Sequence, residues 1–297
     1  MGNDALNQAA HALRMDRVHG AMELALRAVE YAAAFATEHP ERDLRTIARV
    51  ARVLAAARPS MAAITNAVAL TLAPVVLGTK ARASLIDHVA RLRDQWQDDG
   101  RILNANARIH IPVAHIMTYS HSSTTRSALL TLKDRLHGVI IPEGRPIDDG
   151  KALARILAEH GIPVTIITEA QMGRWVREVG AVVVGADTVA PDGSVYNHIG
   201  TATLGLLAEA AGVPMYSLTH TLKIAPYDQP EDMREENDPA EVWADPPPGI
   251  TVQNPAFDRT PAARIWIITE RGILSGALRA EVVAEHRAAW QALGLGD

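Results

Sequence analysis

Apolar residues recur at steps of three and four through the first hundred or so residues, as at Leu6, Ala10 and Leu13. This spacing is typical of amphipathic helices that pack along one apolar stripe. The sequence Arg58-Pro59-Ser60 interrupts the pattern, and Ser60 is placed to cap the next helix. A further helix is predicted from about Lys80 to Trp96. We therefore predict an all-helical N-terminal domain over residues 1–108.

The pattern changes after about residue 104, where short apolar runs begin to alternate with helical stretches. The runs are VAHIMTYS, HGVII, GIPVTII, AVVVGAD, GVPMYSL and RIWIITE. Helices are predicted between them, for example from Asp148 to His160 and from His198 to Ala211. Apolar runs separated by helices are typical of parallel strands, buried on both faces and joined by right-handed crossovers. Residues 109–297 are therefore predicted to form an α/β domain with a doubly wound, mostly parallel sheet.

Residues 225–261 break this alternation. The segment carries seven acidic residues between Asp228 and Glu241 and then three consecutive prolines. Its composition is too polar and too rich in proline for a strand or a packed helix throughout. A loop of this length in a compact domain is usually functional, but a solvated surface excursion fits the sequence equally well.

Composition narrows the class of protein. The formal net charge of -5 argues against direct nucleic-acid binding, which needs a basic surface to neutralise phosphates. The chain has no cysteine, which excludes disulfides, thiolate zinc sites and a cysteine nucleophile. The first residues, MGNDALNQAA, lack the features of a signal peptide, and no run approaches the roughly 20 apolar residues of a membrane span. We expect a cytoplasmic protein without a membrane partner.

Ligands of open parallel sheets bind beyond the carboxyl ends of the strands, and four of these ends are polar here. The first is Thr118–Thr124, where Ser122 and Ser123 begin a helix. Their hydroxyls either help to bind a phosphate or simply cap the helix, and the segment alone favours capping. The second is Glu143–Pro146, where Arg145 either clamps a phosphate or carboxylate or forms an ion pair at the sheet edge.

The third polar strand end is Gly185-Ala186-Asp187. A carboxylate at the end of a buried strand is partly desolvated, which raises its pKa toward that of a useful acid or base. Asn197 and His198 follow and are predicted to open a helix whose N–H groups face an anion; the alternative is that Asp187 only caps a turn. The fourth end holds Lys223, which is either a point charge for a ligand or a surface lysine without a role.

No metal or cofactor motif is present. His110, His115 and His121 have gaps that match no compact ligand pair, and His115, in mid-strand, is predicted to be a core residue. The sequence contains neither GxGxxG nor GxxxxGK[ST], which disfavours a dinucleotide fold of the usual type and a P-loop. We expect no metal and no cofactor.

The polar strand ends carry a family resemblance. The matching motifs are RPSMA at Arg58, MTYSHSST at Met117, EGRP at Glu143, GADTVAPDGSVYNHIGT at Gly185, TLK at Thr221 and NPAFDRTP at Asn254. Their order and content resemble the translation initiation factor 2B alpha, beta and delta subunit-like family. That family includes methylthioribose-1-phosphate isomerase and ribose-1,5-bisphosphate isomerase. The resemblance covers most of residues 105–275, and the Gly185 and Asn254 motifs are its most specific parts.

The resemblance implies a helical N-terminal domain, a Rossmann-like C-terminal domain, a pocket between them and a homodimer or larger assembly. It implies that Asp187 is a catalytic acid/base. It also implies that a phosphorylated sugar or nucleotide is surrounded by the positions Arg58, Arg145, Asn197, His198 and Lys223.

Two departures from the family pattern concern the chemistry. The isomerases have a catalytic cysteine in the segment that matches Thr118–Ser122, and Ser120 stands at that position. A serine hydroxyl does not titrate near neutrality, so it does not easily replace a thiol. His198 stands where the family usually has lysine, which removes a fixed positive charge.

These observations predict an aldose–ketose isomerase for a sugar 1-phosphate of the ribose 1,5-bisphosphate or methylthioribose 1-phosphate type. Asp187 is the predicted acid/base, with Ser120 or His121 as its partner. The alternative is a non-catalytic regulatory or assembly protein that senses a phosphosugar or nucleotide. The missing cysteine favours the alternative, and the retained Asp187 favours the enzyme.

Overall fold

The structure is a computed structural model that describes residues 3–16, 19–38, 43–228 and 235–295. The first part of the chain is helical, as predicted, and consists of α1 (Asn3–Met15), α2 (Ala21–Glu38), α3 (Leu44–Ala55), α4 (Ala62–Val76) and α5 (Leu85–His110). Helix α4 is buried over nearly its whole length because α2, α3 and the C-terminal helix surround it. None of the described helices is long and apolar enough to cross a membrane.

Ser60 does not cap α4 as predicted. That helix begins after Met61 without a side-chain cap, and the Ser60 hydroxyl instead donates to the Glu235 carboxylate. Glu235 lies far away in the sequence, so the local pattern around Ser60 contained no sign of this partner.

The second part of the chain alternates strands and helices. Its strands are β1 (Ala114–Met117), β2 (Leu136–Pro142), β3 (Val164–Ile167), β4 (Ala181–Val184), β5 (Thr188–Val189), β6 (Val195–His198), β7 (Met215–Leu218), β8 (Phe257–Thr260), β9 (Trp266–Thr269) and β10 (Gly272–Ile273). Its helices are α6 (Ser123–Thr131), α7 (Asp149–Glu159), α8 (Met172–Trp175), α9 (Thr201–Ala211) and α10 (Gly276–Ala292).

Seven strands form the main sheet in the order β10-β9-β7-β4-β1-β2-β3. All neighbours are parallel except the edge strand β10, which is antiparallel to β9. Strand β4 lies at the centre with every residue buried, which explains why its sequence AVVV is continuously apolar. The predicted mostly parallel, doubly wound sheet is confirmed.

A second, antiparallel sheet of β5, β6 and β8 was not predicted. The predicted helix from His198 to Ala211 begins only at Thr201, because Asn197 and His198 belong to strand β6. Strand β8 lies inside the segment 225–261, whose polar and proline-rich composition does not indicate a strand. These strands have two to four residues each, too few for an alternating pattern to be recognised.

The prediction that His115 is a core residue is wrong. The second position of β1 is exposed, and the His115 ring lies edge-on to His137 with 5.7 Å between ring centroids. Only the second half of this short strand is covered on both faces.

Two helices connect the helical part to the sheet. The start of α5 packs in the helical core through Leu85, whereas Leu103 near its end packs in the core beside the sheet. Helix α10 returns at the end of the chain to contribute Ala289 to the helical core. The proposed domain division at residues 108 and 109 falls in the last turn of α5.

Candidate active site

A cleft of about 240 Å³ lies at the carboxyl ends of the central strands. It is bounded by the α1–α2 connection, the loops that follow β1 and β4, and the described part of the segment 225–261. Its charged and polar lining includes Arg58, Ser120, Asp149, Asp187, His198 and Glu235. A larger cavity, of about 450 Å³, lies between α1 and α2, but the residues singled out at the strand ends do not line it. The smaller cleft is the candidate site because it brings together residues predicted from several strand ends, Ser120, Asp187 and His198.

Asp187 lies three residues beyond β4 and opens partly onto the cleft. Its backbone N–H donates to the Tyr196 carbonyl at 2.9 Å, which ties the loop to the small sheet. Burial raises the pKa of Asp187, against the lowering effect of nearby positive charge, chiefly that of Lys223. The carboxyl therefore holds its proton to higher pH than an aspartate in water and can act as an acid.

Lys223 is buried behind Asp187 and does not line the cleft. Its Nζ donates to the carbonyl of Ala186 at 2.6 Å. Burial lowers the pKa of Lys223, and the charge of Asp187 opposes that shift. The amide of Asn66 on α4 fixes this turn by donating to the carbonyls of Leu222 and Ile224 at 2.7 and 2.9 Å. Lys223 is thus placed to tune Asp187 rather than to contact a ligand directly.

Arg58 provides the positive charge at the cleft surface. One guanidinium nitrogen lies 2.9 Å from the Glu235 carboxylate, and another donates to the Asp16 carbonyl at 2.6 Å. Glu235 also accepts the Ser60 hydroxyl. The segment 225–261, whose role the sequence left open, therefore provides part of the cleft wall, and its Glu235 holds the cation that a phosphate would need.

Ser120 and His121 meet a carboxylate that sequence reasoning missed. The Ser120 hydroxyl donates to Asp149 Oδ2 at 2.5 Å, and the His121 backbone N–H donates to the same oxygen at 3.1 Å. Burial and the charge of Arg126 lower the pKa of His121, so its ring is neutral at physiological pH. Arg126 can only donate, so its contact with His121 Nε2 at 3.3 Å assigns the ring proton to Nδ1.

The two serines that follow lie beside the cleft without lining it. Ser122 caps α6 by accepting the Thr125 N–H at 3.3 Å, and it packs so closely on Gly185 that a Cβ there would lie 2.5 Å from its hydroxyl. Ser123 is exposed and close to Gly20. The structure therefore shows the capping role for Ser122, and phosphate binding by either serine stays a prediction.

Of three more predicted residues, one is exposed, one is buried and one lines the cleft. Arg145 is exposed and does not line the cleft, and its backbone N–H donates to Glu169 at 3.2 Å. Asn197 is buried, and its amide donates to the Thr201 hydroxyl at 3.0 Å. His198 lines the cleft with its ring edge-on to Tyr119. Of these three residues, His198 alone faces the same space as Asp187.

The anion site predicted at the start of α9 is filled by the protein itself. The Asp258 carboxylate accepts the N–H groups of Gly200 and Ala202 at 2.7 and 3.0 Å. Burial raises the pKa of Asp258 to about 6, although these two hydrogen bonds act in the opposite direction. A ligand phosphate at this helix end would have to replace the Asp258 carboxylate, and phosphate binding there stays a prediction.

No group of three or more histidine, aspartate or glutamate side chains in the described ranges is arranged to hold a metal ion. The cleft offers the three carboxyl groups of Asp149, Asp187 and Glu235, the Ser120 hydroxyl, the Arg58 guanidinium and the imidazoles of His19, His121 and His198.

A family model described as the Initiation factor 2 subunit family matches residues 17–276. The chain belongs to this family. A ribose 1,5-bisphosphate isomerase from Haloterrigena turkmenica is 32% identical over 259 residues, 79% of this chain and 78% of the relative. A methylthioribose-1-phosphate isomerase from Syntrophotalea carbinolica is 42% identical over 149 residues, 46% of this chain and 43% of the relative. The crystal structure of translation initiation factor eIF-2B from Pyrococcus horikoshii OT3 matches with a TM-score of 0.77 at 28% identity, covering 92% of this chain and 98% of that one.

The resemblance inferred from the motifs is thereby confirmed. Members of the Initiation factor 2 subunit family that are similar to this chain are named as sugar-phosphate isomerases, and a structural neighbour is named as an initiation factor. The helical first part followed by a mostly parallel sheet is shared with these neighbours.

Proposed function

We propose that this chain is an aldose–ketose isomerase that acts on a sugar 1-phosphate of the ribose 1,5-bisphosphate type. The observation that carries the proposal is Asp187, a carboxyl with a raised pKa that opens onto a cleft also lined by Arg58 and His198. The 32% identity to a ribose 1,5-bisphosphate isomerase supports the choice of substrate class.

Asp187 supplies the proton that this reaction needs first. A phosphate on C1 keeps the sugar ring closed, so the ring oxygen must be protonated before the C1–O bond of the ring can break. The raised pKa of Asp187 keeps a carboxylic acid available for that step. The carboxylate that remains can then accept a proton from C2 and return it to C1. The proton that the O2 hydroxyl loses as the ketone forms restores the acid form of Asp187.

Arg58 is the proposed phosphate ligand. Its guanidinium is largely covered by protein, with a side-chain exposure of 11%, and it already binds one carboxylate in the cleft. Arginine matches the oxygens of a phosphate with parallel hydrogen bonds. An incoming phosphate would take the place of Glu235 at this cation.

We expect Arg58→Ala to weaken phosphosugar binding by roughly 100-fold, the effect of losing about 2.7 kcal/mol of charge-assisted hydrogen bonding. Arg145→Ala is the matched control, because Arg145 is exposed and lies outside the cleft lining. The affinity of this variant for the phosphosugar should stay near that of wild type. Isothermal titration with the phosphosugar measures both. If Arg145→Ala abolishes binding and Arg58→Ala does not, the phosphate site lies at Arg145.

Conversion of the substrate is the direct test of the proposal. The protein is incubated with ribose 1,5-bisphosphate or methylthioribose 1-phosphate, and the anomeric and C2 proton signals are followed by NMR. Loss of the anomeric signal with growth of the ketose signals supports the isomerase. Unchanged signals with both sugars at concentrations that saturate the site exclude it.

A non-catalytic sensor is the second candidate. Ser120, which stands where the isomerases resembled by the sequence have cysteine, favours this function, as does the structural likeness to a protein named translation initiation factor eIF-2B. A sensor would be stabilised by a phosphosugar or nucleoside monophosphate in a thermal-shift assay without converting it. Binding without conversion therefore separates the two functions.

We also infer that the chain forms a two-fold dimer, chiefly through its second half. Large apolar side chains are exposed there, including Trp266 and Trp243 with exposures of 59% and 48%. Multi-angle light scattering at micromolar concentration should give twice the chain mass of 32.0 kDa. A single-chain mass under those conditions contradicts the inference.

A further inference from the structure

A short hydrogen bond joins the side chains of Ser120 and Asp149, which are 29 residues apart in the sequence. The Ser120 hydroxyl lies 2.5 Å from Asp149 Oδ2. Hydrogen bonds from a hydroxyl to an ionised carboxylate fall between about 2.5 and 2.7 Å, shorter and stronger than those between neutral groups. The Ser120 hydroxyl therefore donates to Asp149 in a hydrogen bond at the short end of the usual range.

The backbone at Ser120 is held in a costly conformation that brings this contact about. Ser120 has a φ of 63°, in the left-handed region where a residue other than glycine costs about 1 kcal/mol or more. Residues in such conformations persist only when their surroundings fix them, and they cluster at functional sites. Here the bond to Asp149 and the neighbouring N–H of His121 fix the position of the hydroxyl at the cleft surface.

The position of Asp149 is fixed by the start of a helix and by a neighbouring glycine. Asp149 is the first residue of α7, where the positive end of the helix dipole stabilises negative charge. Its second oxygen, Oδ1, is buried without a hydrogen-bond partner, so Oδ2 is the oxygen that contacts Ser120 and His121. Gly144 makes room for it, because a Cβ at that position would lie 1.9 Å from Oδ1. The glycine of the EGRP motif is thus explained by Asp149 rather than by Arg145.

We propose that Ser120 and Asp149 form a proton shuttle for the proton that the O2 hydroxyl of the substrate loses when C2 becomes the ketone carbon. This inference rests on the proposed isomerase function. As the C2=O bond forms, the O2 hydroxyl of the opened sugar gives its proton to Ser120 Oγ while Ser120 gives its own to Asp149 Oδ2. The two transfers then run in reverse and pass the proton across the cleft to the Asp187 carboxylate, so the pair ends unchanged and the acid that opened the ring is restored. Asp187 also moves the other proton between C2 and C1.

The shuttle removes the difficulty raised by serine at this position. A lone hydroxyl does not lose its proton near neutral pH, but a hydroxyl bonded to a carboxylate can pass a proton through itself without ever becoming an alkoxide. Ser120 contacts the substrate in this scheme, and Asp149 is a positioning residue that acts through it.

The test combines loss with rescue. We expect Asp149→Asn and Ser120→Ala each to lower kcat by roughly 100-fold or more with little change in KM. Because the two residues act as one unit, the variant that carries both changes should be no slower than the slower single variant. Adding Ser120→Cys to Asp149→Asn should restore at least about tenfold, because a thiol with a pKa near 8.5 exchanges protons without a carboxylate partner. A purely structural role of Asp149 would not be rescued in this way.

Asp148→Asn is the matched control. Asp148 is the adjacent carboxylate and pairs with Lys151 at 2.9 Å. Its φ of 58° is in the left-handed region, which asparagine tolerates well. The kcat of Asp148→Asn should therefore equal that of wild type. Wild-type kcat in Asp149→Asn, or a loss that Ser120→Cys does not rescue, overturns the shuttle while the isomerase stands. No conversion by the wild-type protein overturns both.

Discussion

Asp187→Asn should lower kcat by roughly 10² to 10⁴-fold while the dissociation constant of the phosphosugar changes by less than about threefold. The amide keeps the shape of the side chain and removes the group that gives and takes protons. Because burial raises the pKa of Asp187, the wild-type rate that depends on its acid form should fall as pH rises through a value above the aspartate range. The variant should lack this decline. NMR time courses recorded at several pH values measure both the fall in kcat and its pH dependence.

Asp192→Asn is the control for this experiment. Asp192 lies in the next loop, between β5 and β6, but its carboxylate is bound by Ser194 and Arg259 and lies outside the cleft lining. Its kcat should remain within about twofold of wild type, as expected for a group remote from the chemistry. Retention of wild-type kcat by Asp187→Asn would contradict the proposed mechanism and leave the fold assignment intact.

The sheet and Asp187 were predictable because their signals are local. A strand buried on both faces is continuously apolar, and β4 reads AVVV in the sequence. The first polar residue with a titratable side chain after such a strand necessarily lies at the carboxyl edge of the sheet, where ligands bind. Asp187 meets that description, so the sequence was enough to select it.

Asp149, Glu235 and Asp258 were missed because each acquires its role from a distant partner. Asp149 reaches Ser120 across 29 residues, Glu235 reaches Arg58 across 177, and Asp258 reaches Gly200 across 58. In the sequence, Asp149 resembles an ordinary acidic residue at a helix start, and Glu235 resembles an acidic residue in a solvated loop. The one available signal was the motif NPAFDRTP itself, which contains Asp258.

The short antiparallel sheet explains why the start of α9 was predicted too early. Strand β6 ends in Asn197 and His198, and the loop between β6 and α9 contains Gly200 with a φ of 104°. Continuing the helical pattern back to His198 placed these residues at a helix N-terminus. In the structure the helix starts three residues later, and Asp258 on the neighbouring strand β8 occupies that end.

Lys223→Met should destabilise the folded protein by about 3 kcal/mol near pH 8, the cost typical of leaving a buried charge without its partner. Lys223 is the foremost charge that lowers the pKa of Asp187, so its removal raises that pKa further. A carboxyl whose pKa is raised by folding gives its full stability below the pKa of the unfolded chain and loses it as pH rises through the folded value. The destabilisation should therefore be small near pH 4 and grow with pH, as urea unfolding at each pH would show.

Adding Asp187→Asn to Lys223→Met should recover most of the lost stability and flatten its pH dependence, because a buried pair replaced by two neutral groups is often tolerated. Lys151→Met is the control. That lysine is partly exposed and contacts Glu143 and Asp148 at 3.1 and 2.9 Å, so its loss should cost no more than about 1 kcal/mol at any pH. If the double variant is as unstable as Lys223→Met alone, the role of Lys223 lies in its hydrogen bond to the Ala186 carbonyl and not in its charge. The coupling free energy between Lys223→Met and Asp187→Asn thus measures how much the Lys223 charge stabilises the folded protein through the Asp187 carboxyl.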